Sequence, residues 1–381
     1  MRTRSGVLRV GAAFLAAAAI LAGAAGGLLG TCGPFTDTAN DVFCPFVLEV
    51  FYLGITTGTT STTYDPTANV TRLQMAAFLS RTVDRVLLRG SKRAALDQFW
   101  TKGAVGNTTV GPSPVGIKSD GTDVWVADAT DGIVRRVRGS DLTVLDTWTG
   151  AANARGVVCG AGKVLVSSAT SPGRLYFIDP LGPPGGVTTV ASNLGNIARG
   201  LAFDGNVVWT ANNGSVSIVT PLNTNPWTVT TVTTGFSTVA GPEFDGTNIW
   251  VTNVDLGTLL KLDSTGGILL TVTVGNGPGF PLFDGTNLWV PTNGPLVVVR
   301  PGTGAILATL TGNGLGNGLA AAFDGQRIMV TSVDTTFVSL WKAADLTPLG
   351  SFDLGAIPNR LCSDGTNFWI SMNALGQVMR F

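Results

Sequence analysis

The chain contains no histidine. That absence removes Ser-His-Asp and Cys-His nucleophilic catalysis, and with them the most common metal ligand. Charge is scarce as well: Asp, Glu, Lys and Arg make up 13% of the 381 residues, against about 25% in an average soluble protein. With 24 basic and 24 acidic residues the formal net charge is zero, so no bulk field recruits nucleic acid or an anionic membrane. There are four cysteines and no zinc-type spacing among them. Asp128-Ala-Thr-Asp131-Gly lacks the alternate carboxylates of a calcium loop and reads as a turn. The glycine-rich pieces 275–279 and 312–316 open no helix, so neither reads as a phosphate cradle. No catalytic residue, metal site, cofactor or nucleic-acid partner is expected.

What is abundant is glycine, 51 residues, and threonine, the composition of strands and turns. Arg2, Arg4 and Arg9 precede an Ala/Leu/Ile-rich core over 10–21 and the small residues Ala22-Gly-Ala24. Residues 1–30 therefore read as a secretory signal peptide, with a retained membrane anchor or lipid attachment at Cys32 as the other readings. Beyond it no stretch is long and apolar enough to span a bilayer. In an exported chain Cys32 and Cys44 are a candidate disulfide, while Cys159 and Cys362 read as small buried thiols.

Residues 34–88 carry helical patterns. Apolar residues at helical spacing run over 43–53, with Pro45 suited to a first turn and Gly54 to the stop. Thr71-Arg-Leu-Gln74 is a capping box ahead of the stripe Met75, Phe78, Leu79, Val83, Val86 and Leu87. Residues 89–103 read as a linker.

From 104 to 381 the chain repeats. Asp245-Gly-Thr-Asn-Ile-Trp250-Val recurs in near copies at Asp284 and Asp364, looser ones at Asp120, Asp204 and Asp324, and a worn one at Gly160. A period near forty residues, parsed by alternation into four short strands, has the dimension of a β-propeller blade. Seven copies predict seven blades. The last copy holds two strands, so residues 104–110 and 114–118 are expected to complete it and mix both ends of the chain in one blade. Asp-Gly supplies the positive φ of a hairpin turn, and the following Trp fills space between blades. The predicted class is mainly β: a seven-bladed propeller preceded by a small α-helical module.

Two resemblances sharpen this. Phe35-Thr-Asp37, Leu53-Gly54-Ile-Thr-Thr-Gly58, Tyr64-Asp-Pro66 and Val70-Thr-Arg72-Leu-Gln74-Met-Ala-Ala-Phe-Leu-Ser-Arg81 resemble, in order and spacing, the S-layer homology domain. The resemblance implies non-covalent attachment to cell-wall or envelope polysaccharide. It implies glycan contact by Arg72, whose guanidinium suits an anionic sugar, and places Asp37 and Gly54 in the motif. Gln74 stands where that family has Glu, one copy is present, and Arg72 also reads as a solvated helix-start residue. The repeats resemble YVTN/NHL-like propellers of secreted bacterial proteins, including streptogramin-lyase relatives, an architecture with many functions.

About five residues before each turn, three periods place an arginine: Arg155, Arg199 and, offset by one, Arg360. The other four have Val115, Ala240, Gly279 and Leu319. Lys118 and Glu243 fall on the same channel-side strand. These five charged residues are candidates for an anionic or glycan ligand at the channel mouth, or for pairing with carbonyls and Asp residues to hold the ring. The expected protein is a bacterial one, exported and envelope-associated, whose propeller binds or presents a protein or glycan partner, touching membrane only through its signal peptide. The alternative is a lyase- or lactonase-type enzyme acting at the channel mouth without histidine.

Overall fold

The computed structural model describes residues 32, 34–38, 41, 43–52, 55–88 and 106–381. The expected signal peptide (1–30), the linker (89–103) and Gly54 lie outside the described residues. The chain divides into two compact units, Met1–Gly90 and Ser91–Phe381.

In the first unit two helices form where the pattern placed them: α1 (Cys44–Tyr52) and α2 (Arg72–Leu88). The α2 cap is reciprocal. Gln74 N–H donates to Thr71 Oγ1 at 3.2 Å, and Gln74 Oε1 accepts from Thr71 N–H at 2.8 Å, satisfying two otherwise orphaned donors. The small core gathers Cys32, Phe35 and Val47, with Phe51 edge-on to Phe35 at 5.2 Å. Cys32 and Cys44 form the candidate disulfide, across a Cα separation of 5.5 Å. Two residues of the α2 stripe, Met75 and Leu79, are 47% and 60% exposed, while the loop and α1 supply residues of the small core.

The second unit is seven four-stranded antiparallel sheets. Blade 1 shows the plan: Pro114–Ser119 innermost, then Asp123–Asp128, Ile133–Arg138 and, outermost, Val144–Thr149. The innermost strands of blades 2 to 7 are Ala154–Gly160, Gly200–Phe203, Val239–Phe244, Leu282–Phe283, Gly318–Phe323 and Leu361–Ser363. Each packs against the innermost strand on either side, so together they wall a central channel. Second strands such as Ile249–Asn253 are buried along their whole length, since both faces of each blade are covered by neighbours. Outermost strands such as Ile268–Thr273 are largely exposed.

Closure mixes the two ends. Gly106–Thr109 pairs with Gln377–Arg380 as the outermost strand of blade 7. Arg380 Nη1 then reaches Gly139 O and Ser140 O of blade 1 at 2.8 and 2.9 Å. One expected member differs: Pro114–Ser119 pairs with Asp123–Asp128 and belongs to blade 1. The strand ahead of each Asp-Gly turn hydrogen-bonds across that turn, so the sequence period and the blade are out of phase by one strand.

The turn and its tryptophan are bonded to each other. Asp245 Oδ1 accepts from Thr247 and Asn248 N–H at 2.8 and 2.7 Å, and Oδ2 accepts from Trp250 Nε1 at 2.7 Å. The same latch joins Trp125 to Asp120, Trp209 to Asp204, Trp289 to Asp284 and Trp369 to Asp364 at 2.7–2.8 Å. In blade 6, where Met329 replaces Trp, Arg327 Nε donates to Asp324 Oδ2 at 2.7 Å. The glycines of these six Asp-Gly turns hold φ between 86° and 99°, as a tight hairpin requires.

Candidate functional site

The seven repeat-equivalent positions meet at one mouth of the channel. In blades 1, 2, 4 and 6 the ladder between the first two strands slips at Pro114/Gly116, Ala154/Val157, Val239/Pro242 and Gly318/Ala320. Such bulges leave a residue unpaired and re-aim its side chain. The residues so released are Val115, Arg155, Ala240 and Leu319; with Arg199, Gly279 and Asn359, and with Arg360 one position further on, they line a cavity of about 460 Å³. That lies within the range of about 300–1,000 Å³ of small-molecule pockets.

One position along, the ring is too tight for a side chain in most blades. A Cβ on Gly116 would lie 2.7 Å from Arg155 O, and one on Gly156 2.6 Å from Arg199 O. The equivalents in blades 3, 4 and 6 are Gly200, Gly241 and Ala320. Blades 5 and 7 carry Phe280 and Arg360 there. These two large side chains fill the lumen. The Arg360 guanidinium stacks on the Phe280 ring, 4.0 Å from its centroid, and Arg360 Nη1 crosses the axis to Arg155 O and Arg199 O at 2.9 and 3.1 Å. Arg360 and Phe280 also line the second cavity, of about 190 Å³, on the side of the Asp-Gly turns. The pair is thus a floor between two chambers.

The candidate residues are divided by that floor. Arg155 and Arg199, on adjacent blades, face the wide chamber. Lys118 and Glu243 line the narrow one, with Cys362. Arg360 belongs to both. Burial, then the fields of Arg155 and Arg199, press the Arg360 guanidinium down to about 9, still protonated at neutral pH. Burial and Arg199 lower Arg155 likewise. Burial pushes the Glu243 carboxyl up, against Lys118 and the Phe283 amide, which donates to Glu243 Oε1 at 3.0 Å. Glu243 thereby stitches blade 4 to blade 5. Cys159 and Cys362 are free thiols; burial pushes Cys159 to about 12 and Cys362 upward too, which keeps both poor nucleophiles. Among the described residues no cluster of three Cys, Asp or Glu is arranged to hold a metal.

In the first unit, Arg72 is exposed at the start of α2. The Asp37 carboxylate accepts from the amides of Tyr64 at 3.0 Å and Asp65 at 2.6 Å, and these bonds hold its pKa down. Asp37 therefore closes the Tyr64–Asp65 loop. Gly54, the third motif residue, is outside the described residues. Arg81, which the motif did not mark as a site, donates from Nη1 to Ile55 O at 3.0 Å. Phe280 was also missed, although a lone Phe in a column of four Gly and one Ala is visible once the repeats are aligned on their turns.

Residues 34–76 match the S-layer homology domain family. Such domains generally bind cell-wall polysaccharide, which associates the chain with the bacterial cell surface. The propeller is similar to virginiamycin B lyase from Staphylococcus aureus, at 14% identity and a TM-score of 0.59, covering 72% of this chain and 97% of that one. It is similar also to the WD40 β-propeller domain of Doa1, at 16% and 0.61 over 74% and 97%. Hydrazine synthase of Kuenenia stuttgartiensis gives 13% and 0.61 over 74% and 98%. At these identities the likeness is one of fold. No curated protein matches the chain by sequence. The chain thus combines a segment that matches the S-layer homology domain with a seven-bladed β-propeller.

Proposed function

We propose that this is an exported envelope protein whose S-layer homology domain tethers a propeller that binds or presents a protein or glycan partner. Residues 1–30 serve as the export signal, and Arg72 contacts the envelope polysaccharide. The observation that carries the reading is the joining of a surface-anchoring domain at 34–76 to a separate compact unit with an open, ring-lined channel mouth. Beside that mouth, a surface groove shares Leu319, Val333 and Asn359 with it and presents Val333 and Ile357 at 50% and 46% exposure. This is the face offered to a partner.

The lyase- or lactonase-type reading draws on Glu243, a carboxyl whose raised pKa suits a general acid. Against it, that carboxyl is committed to the Phe283 amide. A catalytically inactive His-to-Ala variant of virginiamycin B lyase shows that the relative loses activity with a residue type this chain lacks.

Co-sedimentation with purified cell envelopes tests the tether. The full chain is expected to pellet, and Arg72→Ala to stay largely in the supernatant with unchanged far-ultraviolet circular dichroism. Pelleting of residues 91–381 alone, with Arg72→Ala pelleting normally, would overturn it.

A further inference from the structure

We propose that the wide chamber is a binding site for a small oxyanion, a carboxylate or phosphate group held between the guanidinium groups of Arg155 and Arg199. The inference deepens the reading of the propeller as a binding module and rests on it.

Three observations carry the proposal. First, bulging of the inner strand releases Arg155 from the ladder into the same chamber as Arg199 of the next blade. Both side chains are half-buried there. Second, neither guanidinium donates a hydrogen bond to any described group or has a carboxylate within 4.0 Å. By contrast, Arg136 has Asp123 at 2.7 Å, Arg138 has Asp141 at 2.9 Å and Arg327 has Asp324 at 2.7 Å. Asp255, whose carboxylate feels Arg199, is exposed and is occupied by Ser237 Oγ at 2.5 Å and Thr238 N–H at 3.2 Å. Third, Arg360 adds a third cation from the floor and is itself satisfied by two carbonyls. It contributes field while leaving the other two forks open.

Three like charges gathered in one chamber without a counter-ion repel one another, and partial burial weakens the screening that water gives exposed charges. An oxyanion relieves that repulsion and accepts planar, charge-assisted bonds from guanidinium forks. Elsewhere the lining mixes apolar Ala240, Val254 and Leu319 with the amides Asn293 and Asn359, so the chamber admits a compact body of mixed polarity behind the anionic group. A carboxylate and a phosphate share this chemistry.

Isothermal titration of the full chain with inorganic phosphate, with glucuronate, and with neutral glucose as control tests the site. Saturable binding of at least one anion and none of glucose is expected. Response to phosphate alone or to glucuronate alone identifies the group taken, and response to both identifies a general oxyanion site. The Arg155→Gln, Arg199→Gln double variant is expected to bind at least tenfold more weakly with an unchanged melting temperature. Arg174→Gln, removing an exposed arginine of blade 2, should bind as the unaltered chain does. The proposal is overturned if neither anion binds saturably, or if Arg174→Gln costs as much as the double variant. A chain that pellets with envelopes yet binds no anion keeps the tether and loses this site; one that binds anion without pelleting does the reverse.

Discussion

The guanidinium of Arg360 lies 4.0 Å from the centroid of the Phe280 ring while its Nη1 bonds the carbonyls of Arg155 and Arg199. One residue of blade 7 thereby touches blades 2, 3 and 5 across the channel axis. Two effects oppose each other. Burial and like charge disfavour the cation, while two hydrogen bonds from a charged donor and the ring face favour it. Two bonds from a charged donor are worth about 3–6 kcal/mol; with part of that offset by burial and like charge, Arg360→Ala is expected to lower stability by about 2–3 kcal/mol, as read from urea unfolding. A neutral or stabilising result would show that repulsion from Arg155 and Arg199 outweighs the strut.

Arg155 and Arg199 make the opposite case. Their guanidiniums hold nothing in the ring, so truncation removes repulsion and no bond. Arg155→Gln and Arg199→Gln are each expected to stay within about 0.5 kcal/mol of the parent. Any gain should shrink between low salt and 0.5 M NaCl, as screening removes the repulsion they relieve. A loss above 1 kcal/mol, on the scale of one hydrogen bond, would assign them to ring structure instead.

The propeller was legible because its signals are local and repeated. Asp-Gly fixes a turn, alternation marks strands, and seven copies say how many blades there are. The channel ring was legible too, since seven aligned positions converge on one cavity. What lay beyond the sequence depends on contacts across the ring. Nothing near Arg360 in the chain announces that it reaches residues more than 150 positions away. Nor does the spacing of Lys118 and Glu243 say that a floor separates them from Arg155. The Asp–Trp latch is half visible in the sequence: the turn and the aromatic both stand out in the repeat, but a five-residue spacing does not announce a donor and an acceptor.

That latch sets a third expectation. Trp250→Phe keeps an aromatic ring in the buried slot and deletes only the Nε1 donor to Asp245. Hydrogen bonds to charged groups are worth about 1.5–3 kcal/mol, and Asp245 retains its two turn amides. A loss near the lower end is expected, about 1.5 kcal/mol, with the double variant Trp250→Phe, Asp245→Asn less destabilised than the sum of the singles. Strict additivity would mean the two residues act independently.

Tight approach of the inner strands gives a fourth. The Cβ of Gly156→Ala would stand 2.6 Å from Arg199 O and 2.8 Å from Ser167 Oγ, both parts of the seam between blades 2 and 3. The backbone carbonyl cannot yield without moving the next blade. Overpacking of this kind costs about 1–3 kcal/mol, and the melting temperature should fall accordingly. Gly162→Ala makes the contrast: nothing lies within 4 Å of its Cβ, and its only penalty is a φ of 71°.

Acid should loosen the first unit through Asp37. Its folded-state pKa is held below the ordinary value of about 3.9, chiefly by the Tyr64 amide and then by that of Asp65. A depressed carboxylate pKa contributes stability that is present above the unfolded value and is lost as pH falls through the folded one. Protection of the Tyr64 and Asp65 amides from hydrogen exchange, corrected for intrinsic rate, should therefore be flat at neutral pH and drop in the acid range below that of a free carboxylate. Asp37→Ala should remove the protection at every pH. Asp37→Asn, which keeps one oxygen acceptor, should lower it without the acid step. Because no imidazole titrates anywhere in the chain, a transition between pH 5 and 7 at these amides cannot come from histidine. It would place the loop under control of something other than Asp37.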